Sequence, residues 1–333
     1  MQLSGGKTMC TCLVMNNGDT YFGRNLDLDY SLSQVLVVTP RNFPFKFRKL
    51  KSLNKHYAIF GIASVIDNFP LYFDATNEYG LSIAGLRFKE EIKSRKPKSN
   101  KINLAQFEFI PYILGTCRTV KEALEVIEKV EMLDTNFSNK VPSSNLHYMI
   151  ADKKECYVIE WLSNGLTVYK NPYGVLTNSP PFPYHLENVR MYLNLTNEPV
   201  ESSNFGSLKL TSFTSGQGTY GLPGDVTSPS RFIKTTFLKF NSVSSFEEGN
   251  NVNQFFKILD NVSFVKGEAK TAEDRYEFTI YTSCVNINKL VFYYKTYNNS
   301  TINALDIKKL NLDIDSLYLY SLNDEPNINY IIK

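Results

Sequence analysis

The chain of 333 residues carries 36 Lys and Arg against 33 Asp and Glu, a net charge of +3, so no global field marks it for nucleic acid and small-molecule partners are expected. A hydrophobic content of 43% with 21 Tyr and 23 Phe excludes a disordered chain, and the length suits one large domain or two small ones. No apolar run approaches the roughly 18 residues of a membrane span and no signal-type segment opens the chain. The five cysteines are too scattered for a disulfide framework, which points to reduced thiols and the cytoplasm.

Residues 1–9 read as an extension, tag or processed segment, and nothing in residues 10–333 looks like a linker that would split them. GGKT at 5–8 imitates the end of a phosphate-binding loop but lacks its leading glycine and the strand before it. CTCLVM and TYFGRN flank NNGD, and Asn17-Gly18 is a strong hairpin signal that should bring Arg24 and Asp27 close to Cys10. QVLVVTP, YAIFGIASVI and LYFDATNEYGLSIAGL continue the strand-like runs, and the charged stretch 89–101 reads as an exposed loop. Residues 104–115 are apolar enough for a helix that Pro111 should kink or end. In TVKEALEVIEKVEML, Thr119 is placed to cap, Glu122 stands three residues on, and Val120, Ala123, Leu124, Ile127 and Val130 share a helical face. Strands are expected at LHYMIAD, CYVIEWL, LTVYK and GVLTN, then helices opening at Ser228-Pro229 and over VNQFFKILDNV, then strands at YEFTIYTSCVNI and LVFYYKTY. Many strands with grouped helices and no βαβ rhythm predict an α+β layered fold with largely antiparallel sheets.

Three histidines, His56, His147 and His185, stand in no nucleophile motif, so a Cys-His protease is weakly supported. An N-terminal cysteine needs no histidine, because its own α-amine can act as the base. Exposed by removal of residues up to Met9, Cys10 would be such a nucleophile, with Arg24 favouring its thiolate and Asp27 orienting the amine. A second reading makes Cys10 a small buried residue of a first strand with Cys12 on the same face, and taken alone the residues leave both open. A Cys-x-Cys metal site has no second ligand pair at suitable spacing, so no metal is expected.

Taken in order, MCTCLVMNNGDTYFGRNLDLDYS, VTPRN, DATNEYGLSIAGL, GVLTNSP, GQGTYGLPGD and SPSRF resemble the choloylglycine hydrolase family, which contains bile salt hydrolases and penicillin V acylases. The resemblance runs from Met9 to near the C-terminus. It implies an N-terminal-nucleophile hydrolase, a four-layer αββα sandwich of two antiparallel sheets formed by residues 10–333 as one hydrolase domain, a homotetramer, and no cofactor. Carried over onto matching positions, it makes Cys10 the nucleophile, sets Arg24 and Asp27 beside it, and makes Asn178 in LTNSP the oxyanion-hole asparagine and Arg231 in SPSRF an active-site arginine. Standing alone, Asn178 would read as a turn residue before Pro180, Arg231 as a first-turn helix residue and Asp27 as a surface carboxylate. The position after AGL, often Asn in bile salt hydrolases and Tyr in penicillin V acylases, is Arg87 here. Arg87 is either a solvated strand-end arginine or, with Lys89, an attractor for an anionic substrate end. The loop after Leu26, the segment from Ile62 to Phe69, and the region of Phe182 are candidate walls for an apolar acyl pocket. The function implied is hydrolysis of the amide bond of glycine- or taurine-conjugated bile salts. Penicillin V or another N-acyl amide is the alternative substrate, and an unprocessed Cys10 would leave a silent binding protein.

Overall fold

The computed structural model describes residues 9–89 and 96–332; of the expected extension it includes Met9 alone, and GGKT and the middle of the 89–101 loop lie outside it. The Asn17-Gly18 signal folds the chain as expected. Gly18 takes φ +70°, which a residue without Cβ adopts freely, and strands Met9–Asn17 and Asp19–Leu28 pair antiparallel with Cys12 opposite Arg24 and Cys10 opposite Leu26. They sit in a sheet ordered Val175–Leu176, Met9–Asn17, Asp19–Leu28, Tyr276–Asn286, Val291–Thr296, Asn303–Asp306, with Ala269–Lys270 also paired to Tyr276–Asn286. The second sheet runs Gly165–Lys170, Cys156–Leu162, Leu146–Ala151, Ser82–Arg87, Phe69–Asn77, Ile59–Ile66, Val35–Thr39, Tyr318–Ser321. All the pairings in both sheets are antiparallel.

Side-chain alternation along the second sheet separates two cores. Leu36, Val38, Ala84, Leu86, Met149 and Ala151 face the first sheet, while Val37, Ile83, Tyr148 and Ile150 face the other way. The outward face is covered by helices α1 (Gln106–Thr116) and α2 (Val120–Ile127), which bury Phe109, Ile113, Leu114 and Ala123 against it. Each large apolar side chain so buried stabilises the fold by about 1.5–3 kcal/mol. Helix α3 (Phe182–Val189) follows the short strand Val175–Leu176, and α4 (Ser228–Phe240) and α5 (Glu248–Asp260) cover the far side of the first sheet through Phe232, Val252, Phe255 and Leu259. The layers are therefore helix, sheet, sheet, helix. The Met9–Asn17 run is apolar rather than alternating because both of its faces are buried.

Two local expectations give way to packing. Leu104 and Ala105 lie in a strand, Ile102–Ala105, and α1 starts only at Gln106 and runs through Pro111 to Thr116. Burial of Phe109, Ile110, Ile113 and Leu114 around Pro111 outweighs the roughly 3 kcal/mol that a helix-interior proline costs. Val130, expected to continue α2, instead opens the strand Val130–Leu133, which pairs parallel with Ile102–Ala105 and finds there the backbone partners a helix end lacks. Thr119 caps α2 as expected, accepting from the Glu122 N–H at 3.2 Å. At α4 the cap residue is Thr227, and Ser228 is the first helical residue with its hydroxyl turned toward Asn178.

Candidate active site

The hairpin register sets Arg24 and Asp27 beside Cys10, and all three are almost fully buried. Arg24 spans the gap between the sheets: its Nη1 donates to the carbonyls of Phe73 at 3.1 Å and Gly85 at 2.5 Å on the second sheet. Phe73 is the extra residue where pairing between Ile59–Ile66 and Phe69–Asn77 shifts, so the bulge frees a carbonyl that the guanidinium takes. Burial alone would weaken the charged form of Arg24, but the groups around it, Cys10, Tyr281, Asp74 and Cys12, outweigh that and raise its pKa. Asp74 is held in turn by the hydroxyls of Tyr281 and, at 2.9 Å, Ser283.

Asp27 accepts from the Thr279 hydroxyl at 2.6 Å through Oδ1, while its Oδ2 is buried with no hydrogen-bond partner among the described residues. Burial pushes its pKa up to about 6, against the opposing pull of Arg231, the Thr279 hydrogen bond and Arg24. The Cys10 thiol is also pushed up by burial, while Arg24, Arg231 and a hydrogen bond from the Arg87 backbone N–H favour its thiolate and Asp27 opposes it.

Asn178 and Arg231, remote in sequence, close the site from the other side. The Cys10 backbone N–H donates to Asn178 Oδ1 at 2.8 Å, and Asn178 Nδ2 donates to the Arg87 carbonyl at 2.9 Å. Arg231 donates from Nη1 to the Cys10 carbonyl at 2.5 Å and the Thr11 hydroxyl at 2.6 Å, and from Nη2 to Asn178 Oδ1 at 2.8 Å. The Asn178 backbone is fixed too: its N–H donates to Ser228 Oγ at 2.9 Å, and its carbonyl accepts from His185 Nε2 at 3.0 Å. Burial lowers the His185 pKa to about 4, so this ring is neutral near pH 7 and its Nε2–H is the donor. His147, stacked on Phe88, lies between Glu160 at 3.0 Å and the Thr177 carbonyl at 2.9 Å, one residue before Asn178.

Cys10 opens onto a cavity of about 620 Å³, within the ordinary range for a small-molecule site. Its apolar wall includes Leu28, Leu32, Ile66, Phe107, Ile110 and Phe137, and Arg87 lines it close to Cys10. Of the expected walls, the stretch after Leu26 and residues Ser64 and Ile66 line the cavity, but Ile62, Phe69 and Phe182 do not. Ile62 lies deeper in the inter-sheet core, two residues before Ser64. Phe69 forms a second layer, its ring packed edge-on to Phe107 at 5.7 Å and tilted against Phe137 at 5.9 Å. Phe182 begins α3, where its N–H donates to the Glu160 carboxylate at 3.0 Å and its ring packs on Phe232 of α4.

Sequence reasoning missed the second tier of the site. A carboxylate inside the strand-like LYFDATN was a legible sign of a buried acid, but nothing local tied Asp74 to Arg24. The same holds for Thr279 beneath Asp27 and for Ser228, His147 and His185 around Asn178. Phe107 and Phe137 reach the cavity from α1 and an irregular segment, so no periodicity marked them. Among the described residues, no three His, Cys, Asp or Glu side chains cluster as a metal site. All five cysteines are unpaired.

Residues 10–320 match the family of linear amide C–N hydrolases, choloylglycine hydrolase family. A bile salt hydrolase/transferase of Lactiplantibacillus plantarum is 43% identical over 317 residues, covering 95% of this chain and 98% of the relative. Another, of Clostridium perfringens, is 36% identical over 329 residues, covering 97% and 100%. Among solved structures, a variant of the conjugated bile acid hydrolase from Clostridium perfringens superposes with a TM-score of 0.91 at 35% identity, covering 97% of this chain and 100% of that one. Penicillin V acylase from Agrobacterium tumefaciens, at 17% identity and a TM-score of 0.74 over 94% of this chain and 91% of its own, shares the fold. The sandwich of two antiparallel sheets and the near full-length match agree: the chain belongs to the choloylglycine hydrolase family and is a hydrolase of linear amide C–N bonds.

Proposed function

We propose that the protein hydrolyses the amide bond of glycine- or taurine-conjugated bile salts, with Cys10 as nucleophile once residues up to Met9 have been removed. The observation that carries this reading is the convergence of Arg24, Asp27, Asn178 and Arg231 on one cysteine at the edge of a large apolar cavity. The two relatives described above, which cover nearly the whole chain, are named for bile salt substrates, and a rigid steroid acyl group suits a wall of Leu, Ile and Phe. While Met9 is attached, the Cys10 nitrogen is an amide and cannot accept a proton. Freed, it is an amine beside the Asp27 carboxylate, whose Oδ2 has no other described partner.

In the cycle that follows, the Cys10 sulfur attacks the amide carbon and its α-amine takes the thiol proton. Negative charge on the carbonyl oxygen is met by the second Asn178 Nδ2 hydrogen and the Arg87 backbone N–H. The tetrahedral adduct collapses as the amine leaves with the proton. A thioester remains, and water attacks it to release the bile acid and return the thiol. None of these steps calls on a cofactor.

Glycine release from glycocholate and 6-aminopenicillanic acid release from penicillin V, measured in parallel on protein beginning at Cys10, test the substrate assignment. Faster glycocholate turnover supports it; faster penicillin V turnover assigns the acylase activity instead. Cys10→Ala is expected to abolish turnover with Tm unchanged, and retained activity in that variant would refute the mechanism. We further assign the enzyme to the cytoplasm, in keeping with its five unpaired thiols. We also propose a homotetramer, for which the exposed apolar arm carrying Phe205, Leu208, Leu210 and Phe213 offers a contact surface between copies.

A further inference from the structure

Three arginines approach Cys10, and two of them are engaged by the protein itself. Arg24 donates to backbone carbonyls of the second sheet, and Arg231 to the Cys10 carbonyl, Thr11 and Asn178. Arg87 is placed differently. Its backbone is clamped at the nucleophile on both sides, the N–H toward the Cys10 thiol and the carbonyl accepting from Asn178 Nδ2 at 2.9 Å. Its side chain is half-buried, lines the cavity and has no carboxylate partner among the described residues. The Tyr30 hydroxyl, which also lines the cavity, feels its charge. Asp134, the acidic residue of the lining, is exposed and accepts from Ser143 Oγ. A guanidinium with five donors is thus anchored beside the reacting atoms without a fixed acceptor among the described residues.

We infer that Arg87 is a specificity residue that binds the anionic end of the leaving amine. This rests on the reading of Cys10 as the nucleophile of an amide hydrolase. The Arg87 backbone N–H faces the Cys10 sulfur and its side chain lines the same cavity, so an amide carbonyl placed at that sulfur lies within reach of Arg87. In a glycine or taurine conjugate, the carboxylate or sulfonate lies two or three bonds beyond the scissile nitrogen, within the span of a long side chain anchored at the nucleophile. Both oxyanions accept paired N–H donors, which a planar guanidinium offers and an amide or phenol side chain cannot.

The test compares kcat/KM for glycocholate, taurocholate and the uncharged cholic acid amide of ethanolamine, in protein beginning at Cys10. Wild type should prefer the anionic ends, and the preference should weaken with salt. Arg87→Asn should lower kcat/KM on the two anionic substrates about 10- to 100-fold more than on the neutral amide, chiefly through KM. Arg87→Lys should keep part of the preference, because it keeps a charge but not the paired geometry. A wild type that hydrolyses charged and neutral amides equally, or an Arg87→Asn variant that loses all three in proportion, overturns the assignment and leaves the amidase reading intact. A wild type that turns over no cholyl amide overturns both.

Discussion

At the scale of the residue, the site is governed by burial of charge. Asp27 illustrates the sign of its consequence: with a pKa raised from 3.8 to about 6, the folded chain holds a proton that the unfolded chain has already lost. Its contribution to stability is therefore greatest below about pH 4 and declines as pH rises through about 6. Asp27→Asn should flatten the dependence of Tm on pH across that window, and a Tm profile parallel to wild type would show that the carboxylate titrates elsewhere. Release of the Cys10 amine puts a cation beside Asp27 and draws its pKa down, so the window should move to lower pH in protein that begins at Cys10. Cys10, Arg24 and Asp27 were legible from a single stretch of sequence because a hairpin signal sets their spacing. Asn178 and Arg231 needed the resemblance, since no local rule connects a turn before Pro180 or a helix start to a cysteine more than 150 residues away.

At the scale of the element, the strand Asp19–Leu28 places Arg24 only because its neighbour in sequence is small. A Cβ on Gly23 would fall 2.0 Å from the Ser283 carbonyl oxygen on the adjoining strand. Gly23→Ala should thus force the Asp19–Leu28 and Tyr276–Asn286 strands apart and destabilise the fold by about 3 kcal/mol, read as a lower denaturant midpoint. An unchanged midpoint would mean that the sheet accommodates the methyl group. Strand and helix identities were readable where one helical period held, as in α2, or where a β-branched and aromatic run was long, as in Tyr276–Asn286. They failed at Leu104 and Val130, where the choice between helix and strand rested on a parallel partner that the local pattern does not contain.

At the scale of the molecule, apolar surface is distributed unevenly. Phe213 is 89% exposed and Phe205 72%, on an arm that stands clear of both cores. If that arm joins copies of the chain, Phe205→Ser with Phe213→Ser should lower the mass measured by light scattering toward 38.1 kDa while leaving the chain folded. A mass unchanged from wild type would remove the arm from the interface. An α+β layered fold with antiparallel sheets was legible from the number of strands and the absence of a βαβ rhythm, and the four-layer sandwich from the family resemblance, whereas the meeting of the two sheets at Arg24 was not. That meeting has a consequence for motion. Parting the sheets at this point would strand a guanidinium that cannot discard its proton and strip the Phe73 and Gly85 carbonyls of their donor. The ground around Cys10 should therefore belong to the last unit of the molecule to open, with backbone amides of the paired strands exchanging with solvent deuterium only through global unfolding, while the apolar arm exchanges freely.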